Sequence, residues 1–464
     1  MECCTPKFLS LQCLSTSVKM MEVEVGRHNV LLVRSEGIYS AIGNQCTHYG
    51  APLSKVHVLH VMYRHRVRCP WHGACFNIQT GDLEEFPGMD CLPCHTVKVE
   101  NNKVYVSVNK KTKRIKSMGS RVEGVIHTIL LLGGGSASLV CAETLRQENF
   151  GGRIIMVTRD NLLPYDKTRL SKVMNVENDS ILLRRMEFFH KYDIEVWLSK
   201  EAMSLDTEKK KVTFDDGSVQ SYDQLLISTG CRAKGLECPG KDLENVKMLE
   251  TPEDKDVAFY MNDNVSEVRG ENGKVKEVVL KSGTVIPADV LIVGIGVIPN
   301  SEFLQGTPIA MDSKSSVIVD KCMRTNVLEV FCGGDLATFP LTMAKDQRVN
   351  IGHWQMAQAH GRVAALNMLN IPTELNSIPY YWTVLLGKNI RYTGYGEGYT
   401  DIVVKGKAEE QKFLAFYIKD DEVIAAASLN YDPAVSAVAE RFAAGNTITK
   451  KEAEPNIHWS CLPR

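Results

Sequence analysis

The chain has 464 residues, 44% of them hydrophobic and 23% charged, with a formal net charge of −1 at pH 7. That length suits about three soluble globular domains, and the balanced charge gives no global reason to expect nucleic acid or an anionic membrane as partner. Its 14 cysteines are too sparse for a small disulfide scaffold; with no secretory signal and no apolar run long enough to span a bilayer, they fit a reducing, intracellular setting.

Residues 23–108 read as short β segments: VEVGRHNVLLVR, GIYSAIG, HTVKVE and NKVYVSV. Turn residues separate them, with a hairpin at Glu100 to Lys103. The expectation is a small β-sandwich with two loops at one tip. One loop is CTHYG, starting at Cys46; the other is CPWHGACF, starting at Cys69. Each pairs a cysteine with a histidine and is followed by glycine. Two Cys and two His also make a zinc ligand set, but zinc fingers group their cysteines and histidines in separate pairs. The mixed pairs in Gly/Pro-rich loops point to a Rieske [2Fe–2S] site. Cys46 and Cys69 would hold one iron, His48 and His72 the other, and exchanging thiolate for imidazole would raise the reduction potential. The stretch resembles Rieske ferredoxin domains. Ala51 and Trp71 stand where the respiratory type carries two further cysteines, so the resemblance is to the ferredoxin type. His57, His60 and His65 fall in a longer gap, read as a surface insertion. The expected domain spans 17–108.

Residues 109–124 form a lysine-rich linker containing NKKTKRIKSMGSR. An apolar strand, IHTILLL, then runs into GGGSAS and a helix. Gly133, Gly135 and Ser138 occupy the three positions of G-x-G-x-x-G, with RIIMV as the next strand: a dinucleotide fold. Serine at the third position is expected to crowd helix against strand. At the end of the second strand Asp160 is the candidate ribose-binding acid, since Arg159 stands where an acid is common.

LPYDKTRLSK at 163–172 resembles the flavin-contacting segment of the apoptosis-inducing factor and ferredoxin reductase group. The resemblance implies FAD, with Lys172 beside the isoalloxazine as catalytic residue and Arg169 near the flavin. LLISTG, with Thr229 and Gly230, resembles the segment closing the first FAD part (125–245). EVFCGGD resembles the flavin motif in which Asp335 bonds a ribitol hydroxyl. The following helix would point its N-terminus, near His353 and Trp354, at the flavin pyrimidine, within a second FAD part (301–372). Residues 373–464 form a C-terminal unit with a hairpin about Asp420-Asp421 and a helix capped by Asp432, with Pro433 in its first turn.

The order of these segments resembles the Rieske-containing apoptosis-inducing factor-like proteins over nearly the whole chain. The fold class expected is multidomain: an all-β Rieske domain, an α/β FAD-binding Rossmann-type (glutathione reductase-like) domain, a truncated NAD-type middle domain and an α+β C-terminal domain. The resemblance implies FAD, a [2Fe–2S] cluster, NAD(P)H as donor, a link to apoptosis and mitochondrial placement, with the cytosol as alternative. It does not imply the electron acceptor, for which a protein is one candidate; a homodimer is open.

The middle region (246–300) departs from that pattern. VLIVGIGVIPN remains, with Gly294 and Gly296 expected near the NAD cofactor, but no G-x-G-x-x-G lies between Gly230 and Gly294, and a βαβ unit needs some thirty residues. NAD(P)H binding is therefore in question, and a poorly packed centre across 250–268 is expected. Three readings stay open: an NAD(P)H-dependent reductase relaying electrons through FAD to the cluster; a Rieske flavoprotein unable to use NAD(P)H, reduced by a protein donor or inactive; and a non-enzymatic redox-state interaction protein.

Overall fold

The computed structural model describes residues 9–10, 19–55, 65–101, 103–108, 114–170, 177–244, 246–248, 260 and 262–454. Lys172, His57, His60 and most of 250–268 lie outside the described residues.

The strand His28–Ser35 carries the apolar run VLLV, and its alternate residues serve two cores. Leu31 and Val33 join Leu53, Phe76 and Leu92 on one face; Val30 and Leu32 join Val23, Val104 and Val106 on the other. A strand buried on both faces reads as a continuous apolar run. It sits in a six-stranded antiparallel sheet with Lys19–Val25, Ile38–Gly43, Cys94–Glu100, Lys103–Ser107 and Leu9–Ser10. A three-stranded sheet, Arg66–Arg68, Cys75–Asn77 and Leu83–Glu85, packs across it. The first domain is thus the expected sandwich.

A five-stranded parallel sheet follows, ordered Ile194–Trp197, Arg153–Val157, Thr128–Leu132, Gln224–Ile227 and Val330–Cys332. Helices Ser136–Gln147 and Trp354–Met368 lie together on it. Such sheets bind ligands beyond their strand carboxyl ends. The C-terminal unit is a five-stranded antiparallel sheet, Tyr380–Leu385, Lys388–Gly394, Glu422–Leu429, Lys412–Lys419 and Asp401–Lys407, covered by helix Ala434–Ala443. Its hairpin turns at Asp420 and Asp421, both at positive φ. The helix begins one residue later than expected: Pro433 is the residue before it, and Asp432 pairs with Arg391 at 3.4 Å instead of capping.

Between these units the NAD-type fold is reduced. Val246–Met248 pairs in parallel with Leu291–Val293, and a three-stranded antiparallel sheet stands beside them. Its core is small, with Val268, Val275, Val278 and Leu280 buried. Ile292 is 47% exposed and Val297 65%. Among the described residues no helix covers these apolar strand residues, the pattern expected where a Rossmann crossover is reduced.

Candidate redox site

The two cysteine loops fold alike. The Cys46 N–H donates to Ala51 O at 2.9 Å and the Gly50 N–H to Cys46 O at 2.8 Å; the Cys69 N–H donates to Ala74 O at 2.7 Å and the Gly73 N–H to Cys69 O at 3.2 Å. Both thiols are buried and hydrogen-bonded to one another. Backbone N–H groups of His48 and Tyr49 donate to the Cys46 sulfur, and those of Trp71 and His72 to the Cys69 sulfur. Donors aimed at sulfur suit an electron-rich cluster. Opposite the thiols, the Nδ1 atoms of His48 and His72 face each other at 3.0 Å. Burial pulls His48 down to about 4; burial, aided by His48 and Arg391, pulls His72 down to about 2. Both imidazoles are neutral at pH 7 and have lone pairs to give. One thiol pair and one imidazole pair, each facing inward, fit a two-iron cluster with unlike ligands. His65 is turned elsewhere, hydrogen-bonded to Ser35 at 3.1 Å.

A cavity of about 810 Å³ opens at the carboxyl ends of the parallel strands. Gly133, Gly135, Thr229 and Gly230 line it on one side; Asp160, Asp335, His353 and Trp354 line it on the others. A Cβ on Gly135 would meet nothing within 4 Å, so the N-terminus of helix Ser136–Gln147 is an open cradle for a pyrophosphate. Asp335 is half-buried, and its partial loss of water pushes its carboxyl up against the pull of Lys167. The buried Nδ1 of His353 has no hydrogen-bond partner among the described residues. An open helix N-terminus, a half-buried carboxyl and an orphaned imidazole nitrogen in one large cavity fit a dinucleotide such as FAD.

Gly133 is the tightest point of this cradle. Its φ is +124°, and a Cβ there would lie 2.1 Å from Ser228 O. Gly133→Ala is expected to yield protein with less than about a tenth of the flavin of the unaltered chain while keeping its iron, since backbone must move to admit the methyl; flavin-to-iron ratios of the purified proteins check this.

Other expected residues are placed differently. Ser138 is fully buried and does not reach the cavity; its hydroxyl lies 2.6 Å from that of Ser228, so helix and strand are tied by a hydrogen bond where crowding was expected. Arg169 donates to Ser180 O at 2.8 Å and does not line the cavity. Gly294 and Gly296 are exposed, between Leu291–Val293 and Val297–Pro299, and are also outside it. Arg159 does line it, beside Asp160, with Glu201 at 3.4 Å.

Several contacts here join residues far apart in sequence. Asn300 exchanges hydrogen bonds with Thr229, at 2.7 and 3.0 Å. The Rieske domain is fastened to both neighbouring units. Arg66 and Arg68 share Glu85 and reach Glu440 on the C-terminal helix, all buried or nearly so. Ser436 donates to Cys69 O at 3.2 Å and meets the Tyr380 hydroxyl at 2.9 Å. Tyr380 packs where a Cβ on Gly73 would be, at 2.7 Å. On the flavin side, Gln358 donates to Gly88 O at 2.9 Å and Arg184 joins Asp90 and Glu143. Trp382 lies between the two sites: its ring centre is 5.0 Å from that of His72, 5.6 Å from His48 and 5.0 Å from His353.

Comparison with known proteins places these parts. The Rieske [2Fe-2S] domain model matches residues 10–96, the pyridine nucleotide-disulphide oxidoreductase model matches 127–256 and 246–361, and the reductase C-terminal model matches 380–456. The oxidoreductase match is in two pieces that meet at the reduced middle region. Human apoptosis-inducing factor 3 is 44% identical, over 94% of this chain and 84% of its own length. That alignment runs to 509 positions, more than the whole chain contains, so this chain is the shorter partner within it. Rubredoxin-NAD(+) reductase of Pseudomonas putida is 25% identical, covering 65% of this chain and 95% of its own. The crystal structure of a ferredoxin reductase from Rhodopseudomonas palustris superposes with a TM-score of 0.64 at 22% identity, covering 71% of this chain and 97% of that one; it shares the fold.

Proposed function

We propose that this chain, which belongs to the Rieske-containing apoptosis-inducing factor 3 family, is an oxidoreductase that moves electrons between a flavin site and a Rieske centre of the same polypeptide, and on to a protein acceptor. FAD exchanges electrons in pairs on one side and singly on the other, and the [2Fe–2S] cluster carries one. The observation that carries the reading is the adjacency of the two sites, with Trp382 touching the cluster histidines on one side and His353, which lines the cavity, on the other.

The chain's residues have distinct parts in this. Cys46 and Cys69 would hold one iron, His48 and His72 the other. Gly133 and Gly135 would admit the pyrophosphate to the helix N-terminus, Asp160 would take a ribose and Asp335 a ribitol hydroxyl. His353 begins the helix Trp354–Met368, whose positive end favours the anionic, reduced form of a flavin. Lys172 is assigned by family resemblance. The domains proposed are 17–108, 125–245 with 301–372, 246–300 and 373–464. Among the described residues no helix is long and apolar enough to cross a membrane; the family resemblance favours the mitochondrion.

The input of electrons is a separate question. Gly294 and Gly296 stand apart from the cavity, and among its described residues the middle unit has two parallel strands where a βαβ unit would be needed to cradle a second dinucleotide. This favours a protein donor over NAD(P)H. An anaerobic titration with NADH, then dithionite, separates the two, with flavin absorbance and cluster EPR read at each step. The expected result is no bleaching by NADH at concentrations up to about 1 mM, a level that exceeds ordinary KM values, and full reduction of both centres by dithionite. Bleaching by NADH with growth of the Rieske signal would restore the NAD(P)H-dependent relay.

A further inference from the structure

Trp382 stands on the strand Tyr380–Leu385, in the C-terminal unit, away from every motif that marks a cofactor. Its indole is nevertheless the one ring, among the described residues, in contact with both ligand imidazoles and with His353. The contacts are edge-on to His48 and His353, at 81° and 88°, and tilted at 42° to His72. The surroundings hold this placement. Two residues earlier on the strand, Tyr380 is fully buried against Gly73, and its hydroxyl meets Ser436, which in turn donates to Cys69 O and Pro70 O. The loop bearing His72 and the strand bearing Trp382 are therefore fixed in register with each other. Glu440 adds a buried charge contact to Arg66 and Arg68 on the strand leading into that loop.

We propose that Trp382 is the bridge through which electrons cross from the flavin cavity to the Rieske ligands. The inference rests on the electron-transfer function proposed above. Electron tunnelling falls steeply with distance and faster across gaps than through atoms in contact, so an indole filling the space between His353 and His72 shortens the weak part of the path. In each crossing one electron leaves the reduced flavin and one ferric ion of the cluster becomes ferrous. The proton released by the flavin goes to solvent. A one-electron protein acceptor reoxidises the cluster before the second electron crosses. Trp382 is neither protonated nor consumed.

The test uses the full chain loaded with flavin and cluster, without donor or acceptor protein. The flavin is photoreduced anaerobically by a flash in the presence of a sacrificial amine, and the cluster is followed by absorbance and by freeze-quench EPR. Trp382→Leu is expected to slow cluster reduction roughly tenfold or more, while Trp382→Phe stays within about threefold of the unaltered chain. Flavin content, EPR g-values and both midpoint potentials stay unchanged in each. If Trp382→Leu does not retain flavin, Trp382→Met takes its place. The bridge is overturned if the aliphatic variant transfers at the original rate, if Leu and Phe slow it alike, or if slowing comes with shifted potentials or g-values, which marks a wedge that positions the domains. If the unaltered chain passes no electron from flavin to cluster, the electron-transfer function falls, and the bridge with it.

Discussion

Changing Cys69 to alanine is expected to abolish the Rieske EPR signal and remove nearly all cluster iron, while flavin absorbance stays within about a fifth of that of the unaltered chain. The backbone of this turn does not depend on the thiol. The turn at Cys69 is held by its N–H to Ala74 O, by its carbonyl accepting from Gly73, and by Ser436 donating to the same carbonyl. All three survive in alanine. What is lost is one thiolate of a four-ligand set, and iron–sulfur clusters do not assemble without their protein donors. Cys75→Ala is the control. Cys75 is equally buried, but its sulfur faces Glu440 at 3.5 Å, so its removal should leave the signal intact. A Rieske spectrum that persists in Cys69→Ala, or disappears in Cys75→Ala, would overturn the ligand assignment.

Glu440→Gln is expected to weaken the attachment of the Rieske domain to the C-terminal unit by about 3–5 kcal/mol, the range seen when one partner of a buried ion pair is removed. Arg68 is 2% exposed in its side chain and Glu440 7%, so screening by water does little to soften the loss. Glu85 still faces both arginines, but two guanidiniums would then share a single carboxylate in a dry site. The readout is cleavage by trypsin at Lys110, Lys111 and Lys113, between the domains. Nicked wild-type fragments should co-elute on size exclusion; nicked Glu440→Gln fragments should separate. Co-elution of both would show that Gln358, Arg184 and Ser436 suffice to hold the domain, and that the charged contact is dispensable.

These two experiments bear on parts of the molecule that differ in how far sequence discloses them. The four proposed cluster donors and the turn at Gly133 are local. Their chemistry requires particular residue types a few positions apart, so CTHYG, CPWHGACF and GGGSAS can be read directly. The same holds for the Asp420-Asp421 hairpin, where two residues at positive φ join two alternating strands. Glu440 and Trp382 are otherwise. Each matters through contacts hundreds of residues away, and nothing near either one in sequence differs from an ordinary amphipathic helix or edge strand. Ser138 shows a third case: its position in the motif was legible, but its hydroxyl partner, Ser228, stands just past the strand Gln224–Ile227 and reverses the expected crowding. For Gly294 and Gly296 the local motif is intact, but among the described residues no βαβ unit stands beside them, and that depends on chain far from the motif.

The buried fastening of the Rieske domain also changes the kinetic order of the chemistry. A reductase that meets a separate ferredoxin by diffusion works at a rate set by both concentrations, steered by surface charge and slowed by salt. In the proposed relay the electron carrier is a permanent resident, and the charges that hold it, Arg66, Arg68, Glu85 and Glu440, are shielded from ions in solution. Its effective concentration is fixed by the covalent chain. The proposed internal handoff would therefore be unimolecular, indifferent to dilution and to ionic strength, and sensitivity to either in steady-state turnover would report only on the molecules that deliver electrons to this protein or take them away.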